Sequence, residues 1–112
     1  GSFNCNRTGR LMPILYRYFG LLILVYSNEH EPIHVHGRYQ GTESKAELIV
    51  VDGQVVEIRI VRVPGKKPLA TPQLRDFQLI VEQHAEEIVQ KWIDYFILHR
   101  RISPEDITRR IR

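Results

Sequence analysis

Between Leu74 and Phe96 the apolar residues Leu74, Phe77, Val81, Ala85, Ile88, Trp92 and Phe96 recur every three or four positions. That spacing lines one side of an α-helix and predicts a single helix of about seven turns. The opposite side carries Glu82, Gln83, Glu86 and Gln90, a solvated face on which Glu87 and Lys91 form a favourable i,i+4 pair worth roughly 0.2–0.5 kcal/mol. Thr71-Pro72 supplies an N-cap and a first-turn proline whose missing N–H costs nothing. His99, Arg100 and Arg101 suit the negative pole of the helix dipole. His84, at the edge of the apolar stripe, and His99, near its centre line, read as rim residues of the core, and Trp92 and Tyr95 as packing.

Upstream the pattern is that of strands. Tyr18 to Ser27 is aromatic, aliphatic and β-branched, which predicts a central strand buried on both faces. Asn28 to Pro32 turns the chain. From Ile33 to Tyr39 the alternation of a strand puts Ile33, Val35 and Tyr39 on one face and His34, His36 and Arg38 on the other. Gln40-Gly41-Thr42 is a turn. Lys45–Val51 and Val55–Val63 flank Asp52-Gly53, a type I′ hairpin signal. A plain register there sets Ile49 opposite Val56 and Glu47 opposite Ile58, which leaves the pairings open and a bulge as one solution. Pro64 to Pro68 is a loop, and Ser103-Pro104-Glu105-Asp106 carries the start signals of a short helix. The expectation is an α+β fold: a small antiparallel sheet of about four strands packed against one long C-terminal amphipathic helix, with a short terminal helix.

Length and composition narrow the organisation. The 112 residues, 43% hydrophobic and 26% charged, suit one hydrophobic core and neither disorder nor a disulfide scaffold. Residues 1–11 show no apolar periodicity and read as a cloning remnant and flexible leader, residues 12–99 as a single α+β domain, and residues 100–112 as a basic tail with a short helix. The single Cys5 has no internal disulfide partner and no secretory h-region is found, so a cytoplasmic location is expected. The apolar run Leu21–Tyr26 falls far short of the roughly 20 residues of a spanning helix, and no membrane role is expected.

Divided along the chain, the net charge of +3 lies in the ends. Residues 1–10 carry +2, residues 100–112 carry +3, and residues 11–99 carry −2. This weakens any broad phosphate-binding face and leaves Arg100, Arg101, Arg109, Arg110 and Arg112 as the candidate nucleic-acid contacts. No aromatic residues are interleaved among them to stack bases, so a solvated tail is the simpler reading.

Glycine-rich phosphate loops, paired cysteine ligands and a Gly-x-Ser-x-Gly elbow are all absent, which removes many enzyme classes. One cluster remains, Asn28-Glu29-His30-Glu31-Pro32-Ile33-His34-Val35-His36. His34 and His36 share a strand face and, with His30 or a carboxylate, have the donor types for a divalent metal ion. As metal-free groups His30, His34 and His36 can exchange protons near neutral pH, with Arg38 placed to steady a phosphate or carboxylate. The simpler structural reading has His34 and His36 hydrogen-bonded to backbone or water and stiffening the loop.

Met12-Pro13-Ile14, then Phe19-Gly20, then His30-Glu31-Pro32-Ile33-His34-Val35-His36 resemble the opening of the bacterial domain-of-unknown-function family 4160. The resemblance covers about residues 12–98, with the family's three motif histidines falling on His30, His34 and His36. The chain departs from the pattern at Ile33, where a second proline is usual, in the longer segment from Arg59 to Pro72, and in the tail from Ser103. The resemblance implies a small bacterial protein encoded beside another small domain, in an arrangement like a toxin–antitoxin pair, and carries no catalytic set. Two functions follow as expectations: a protein-interaction component of such a module, with a small protein partner or a second copy; or a histidine- or metal-dependent nuclease or phosphodiesterase built on His30, His34, His36 and Arg38. A metal-binding module without turnover is a third.

Overall fold

The fold is that of a computed structural model, which describes residues 3–5, 11–26 and 33–111. The chain order is β1 (Phe3–Cys5), β2 (Leu11–Tyr18), β3 (Leu21–Leu24), β4 (His34–Tyr39), β5 (Thr42–Val51), β6 (Gln54–Arg62), α1 (Thr71–Gln83), α2 (Ala85–Phe96) and β7 (Glu105–Asp106). Strands β1 to β6 form an antiparallel meander in chain order, and β7 joins in parallel beside β2, which makes the sheet mixed. The fold is α+β as expected, with more strands than the four anticipated. No helix among the described residues is long and apolar enough to cross a membrane.

Three two-residue turns build most of the sheet. Phe19-Gly20, Gln40-Gly41 and Asp52-Gly53 each place both residues at positive φ, between 44° and 87°, the conformation whose twist matches paired strands. The turn at Phe19-Gly20 corrects the single strand expected over Tyr18–Ser27. That run is the end of β2, a turn and β3, and its apolar character reflects burial of both strands, not their continuity.

The hairpin of β5 and β6 contains the anticipated bulge. Ile49 pairs with Glu57 and Val50 with Val55, so that Val56 is the extra residue. The insertion shifts the faces by one position. Leu48 then meets Ile58, and Glu47 meets Arg59, in place of the pairings of the plain register. A second irregularity in β2, between Ile14 and Tyr16, leaves Leu15 fully buried and divides that strand between the two faces.

The helices cover one face of the sheet. Leu15, Tyr16, Tyr18, Leu21, Ile23, Val25, Val35, Ala46 and Leu48 form the main core with Phe77, Ile80, Val81, Ile88 and Trp92. Burying one such aliphatic or phenylalanine side chain contributes roughly 1.5–3 kcal/mol. Packing is closest at Gly37, where a Cβ would stand 2.7 Å from Phe77 Cδ1. Only glycine admits the ring so near the strand.

The single seven-turn helix of the sequence reading is two helices. His84 leaves helical geometry with φ −114° and ψ 20°, while its N–H still donates to Ile80 O and its carbonyl accepts from Ile88 N. The apolar stripe therefore runs through the break. With the bend, α1 packs on β3 and β5 and α2 on β6. Ala70, not Thr71, is the N-cap residue, and Pro72 sits in the first turn. His99, three residues beyond the end of α2, is exposed with φ 56° and is not a rim residue of the core.

Short strands near either end of the described residues join the sheet at β2. Phe3–Cys5 pairs with Leu11–Pro13. The expected short helix at Ser103–Asp106 is instead the strand β7: Ile107 N donates to Arg17 O at 2.8 Å, and Arg17 holds Asp106 at 3.1 Å. The open backbone groups of β2 satisfy an extended segment better than one isolated helical turn could. Lys91 bonds Glu105 at 2.9 Å in place of the expected pairing with Glu87. Ile102 is buried in the core, with Ile107 and Ile111 packed against it.

Candidate functional site

The meander aims alternate side chains of β4 and β5 away from the helices. From β4 these are His34, His36 and Arg38, and the two-residue turn at Gln40-Gly41 sets Arg38 directly opposite Glu43 of β5. Tyr26, just after β3, completes the group beside the small apolar cluster of Ile14 and Leu24, against which Leu22 packs. The face opposite the helices thus has an apolar half and a polar half.

Glu43 is the hub of the polar half. Its Oε2 lies 2.8 Å from His36 Nδ1 and accepts from Tyr26 Oη at 2.9 Å. Its Oε1 lies 3.5 Å from Arg38 Nε, and Arg38 Nη2 also donates to Tyr26 Oη. The Tyr26 and His36 rings meet edge to face at 4.5 Å, and those of His36 and His34 at 5.2 Å. His34, His36 and Glu43 are each about 2% exposed, whereas the Arg38 side chain keeps 33%. The guanidinium is the part of this group that solvent reaches.

The electrostatics favour a charged hub. Burial pushes the Glu43 carboxyl up, but the hydrogen bonds from His36 and Tyr26 and the charges of His36 and Arg38 outweigh it and hold it below its ordinary value. Burial and then the Glu43 charge and hydrogen bond push the Tyr26 phenol up, with Arg38 opposing. The proton therefore stays on Tyr26 and the carboxylate stays ionised. A buried carboxylate retained this way must keep its donors, because stripping one leaves a desolvated charge.

Of the residues singled out from the sequence, the structure brings together His34, His36 and Arg38. His30 lies outside the described residues, as do the Asn28–Pro32 turn and Arg112. Among the described residues no group of three or more histidine, cysteine, aspartate or glutamate side chains is arranged to hold a metal ion. The basic tail is engaged in the fold at several points: Arg110 lies over the Phe19 ring at 3.9 Å and Arg100 approaches Asp94 at 3.8 Å. Arg101 and Arg109 are exposed.

Sequence reasoning missed Glu43 and Tyr26. The signal for Glu43 was present: a two-residue turn at Gln40-Gly41 sets the register and pairs an arginine with a glutamate across the strands. Tyr26 carried no such signal, since it read as one more apolar residue of a long strand.

Two further features lie on the helix side. Tyr16 donates to Glu87 at 3.2 Å, stacks against His84 at 4.8 Å and lies under Lys91 Nζ at 4.7 Å. Burial, together with Glu87 and Glu105, pushes its phenol well above the ordinary value. Beyond it a cleft of about 670 Å³ opens between residues 54–58 of β6 and residues 82–87 at the helix break.

Residues 20–93 match the profile of a family described as a domain of unknown function, DUF4160. No curated protein and no solved structure matches the chain significantly.

Proposed function

Because the chain belongs to the DUF4160 family, whose description assigns no activity, we propose from its own surface that it is a protein-interaction component of a two-gene module of the toxin–antitoxin kind. The observation that carries this reading is the asymmetry of the sheet edges. The outer side of β2 is occupied by β1 at one end and β7 at the other. The nine-residue β6 hydrogen-bonds only to β5 among the described residues. Val56 of β6 and Val51 at the end of β5 are 60% and 51% exposed. Long open edges with exposed aliphatic residues are the surfaces by which sheets recruit other chains.

The histidine cluster supports this division of labour, since imidazoles so deeply buried suit a clamp on β3, β4 and β5 better than a site that a substrate must enter. A second reading, a histidine- or metal-dependent nuclease or phosphodiesterase, is favoured by one observation: the partly exposed Arg38 guanidinium caps the His36–Glu43 contact, a placement suited to an anion. Co-expression with the product of the adjacent gene separates the two readings. A stoichiometric complex that survives size exclusion, and persists in His34→Ala, is expected; separate elution with His34-dependent cleavage of nucleic acid would overturn the interaction reading.

A further inference from the structure

The cleft at the β6 edge has a chemistry that selects its occupant, an inference resting on the interaction reading above. Its residues are Gln54 to Ile58 on the strand and Glu82 to Glu87 on the helices. They include the four carboxylates Glu57, Glu82, Glu86 and Glu87 and neither a lysine nor an arginine. Glu57 is matched by Arg59 at 2.9 Å, and Glu87 accepts from Tyr16. Glu82 and Glu86 are exposed on the helix wall, and Glu82 is touched by the neutral Gln78 amide. The half-buried Val55, Ile58 and Ala85 give the cleft an apolar floor that joins the main core.

We propose that this cleft binds an extended basic segment of a partner protein, added as a strand along β6. The strand backbone supplies the hydrogen bonds, the valines and Ala85 receive the aliphatic side chains of one face, and Glu82 and Glu86 receive lysine or arginine side chains. The same charge argues against a second copy of this chain at the same place. Two β6 edges paired about a two-fold axis would bring acidic helix walls to one interface, where like charges repel. Placing the acids on a rigid helix beside the open strand also discriminates against acidic or purely apolar strands, the usual hazard of an unprotected edge.

The test uses the full chain and a nine-residue peptide of alternating basic residues and valine. Its two controls are the same peptide N-methylated at alternate amides, which keeps charge and side chains but cannot complete a strand ladder, and a version with glutamate in place of every basic residue. Fluorescence anisotropy gives the affinities, and amide shifts give the location. Saturable binding is expected, with shifts confined to residues 54–58 and 82–87. The N-methylated and acidic peptides should bind at least about tenfold more weakly, and Glu82→Lys/Glu86→Lys should weaken the basic peptide by about tenfold or more with its melting temperature preserved. No binding, equal binding of the N-methylated peptide, shifts elsewhere, or a concentration-dependent dimer that closes the cleft would each overturn the proposal. If the adjacent gene product binds but is indifferent to Glu82→Lys/Glu86→Lys, the interaction reading stands and this cleft is not its site. If the peptide binds and the adjacent product does not, the cleft stands and the assignment to a two-gene module fails.

Discussion

The two faces of the sheet solve the same burial problem with different chemistry. On the helix face Leu15, Ile23, Val35 and Phe77 are wholly buried and hold by apolar contact, so each contributes in proportion to the area it buries and to the closeness of its packing. On the other face His34, His36 and Glu43 are nearly as buried, and there a desolvated carboxylate depends on His36, Tyr26 and Arg38 staying beside it. Burial alone therefore does not identify a core. The helix face holds by contact area and the polar face by the pairing of one buried charge, and the same β4 strand serves both.

The largest effect that tests this contrast is Phe77→Ala, which empties the centre of the helix face and should cost about 3–5 kcal/mol, read as a fall in the urea midpoint. A small cost would show that the helices do not own the core. Gly37→Ala comes next. Its methyl would have to displace the Phe77 ring, and the expected loss is about 1–3 kcal/mol, partly recovered in Gly37→Ala/Phe77→Leu. Recovery identifies the clash as the cause; none would assign the cost to the strand backbone.

On the polar face Glu43→Gln keeps the shape and removes the charge, for an expected loss of about 1–3 kcal/mol at neutral pH. Its pH dependence is the sharper measurement. Folding holds the Glu43 carboxyl below its ordinary 4.5, so the unfolded chain takes up the proton first as pH falls. The stabilisation is complete above 4.5 and is lost as pH drops through the folded-state value. The gap between the parent protein and Glu43→Gln should therefore narrow on acidification below that point. A gap independent of pH would mean that the hub is not ionised.

Tyr26→Phe removes one donor to the hub and should cost about 0.5–1.5 kcal/mol, with the loss no longer additive once Glu43 is already glutamine. Additive losses would break the claim that the group acts as a unit. The smallest effect belongs to Arg59→Ala. Arg59 shares an exposed ion pair with Glu57, where water and salt screen the charges, and its midpoint should coincide with that of the parent.

How much of this was legible depended on how local the deciding interactions are. The strand character of β3 to β6 and the helical character of residues 71–96, the Asp52-Gly53 turn and the bulge beside it, the apolar stripe from Leu74 to Phe96, and the shared face of His34, His36 and Arg38 were all present in the sequence, because alternation, periodicity and turn residues act over a few positions of chain. Phe19-Gly20 was equally local but was masked, since the strands on either side are buried and no polar break marks the turn. His84 carried no residue that forbids a helix; it leaves helical geometry in a fold where it stacks on Tyr16, far away in sequence.

By itself, then, the sequence determined an α+β chain whose β4 strand presents histidines on one side and apolar residues on the other. Only the tertiary structure decided that Glu43 and Tyr26 close the group around His36, that Glu105–Asp106 become a strand beside β2, and that β6 is left open next to an acidic helix wall. The reason is physical. Backbone preference is set by neighbours along the chain, whereas desolvation, charge pairing and the closing of a sheet edge depend on groups that meet only once the chain has folded.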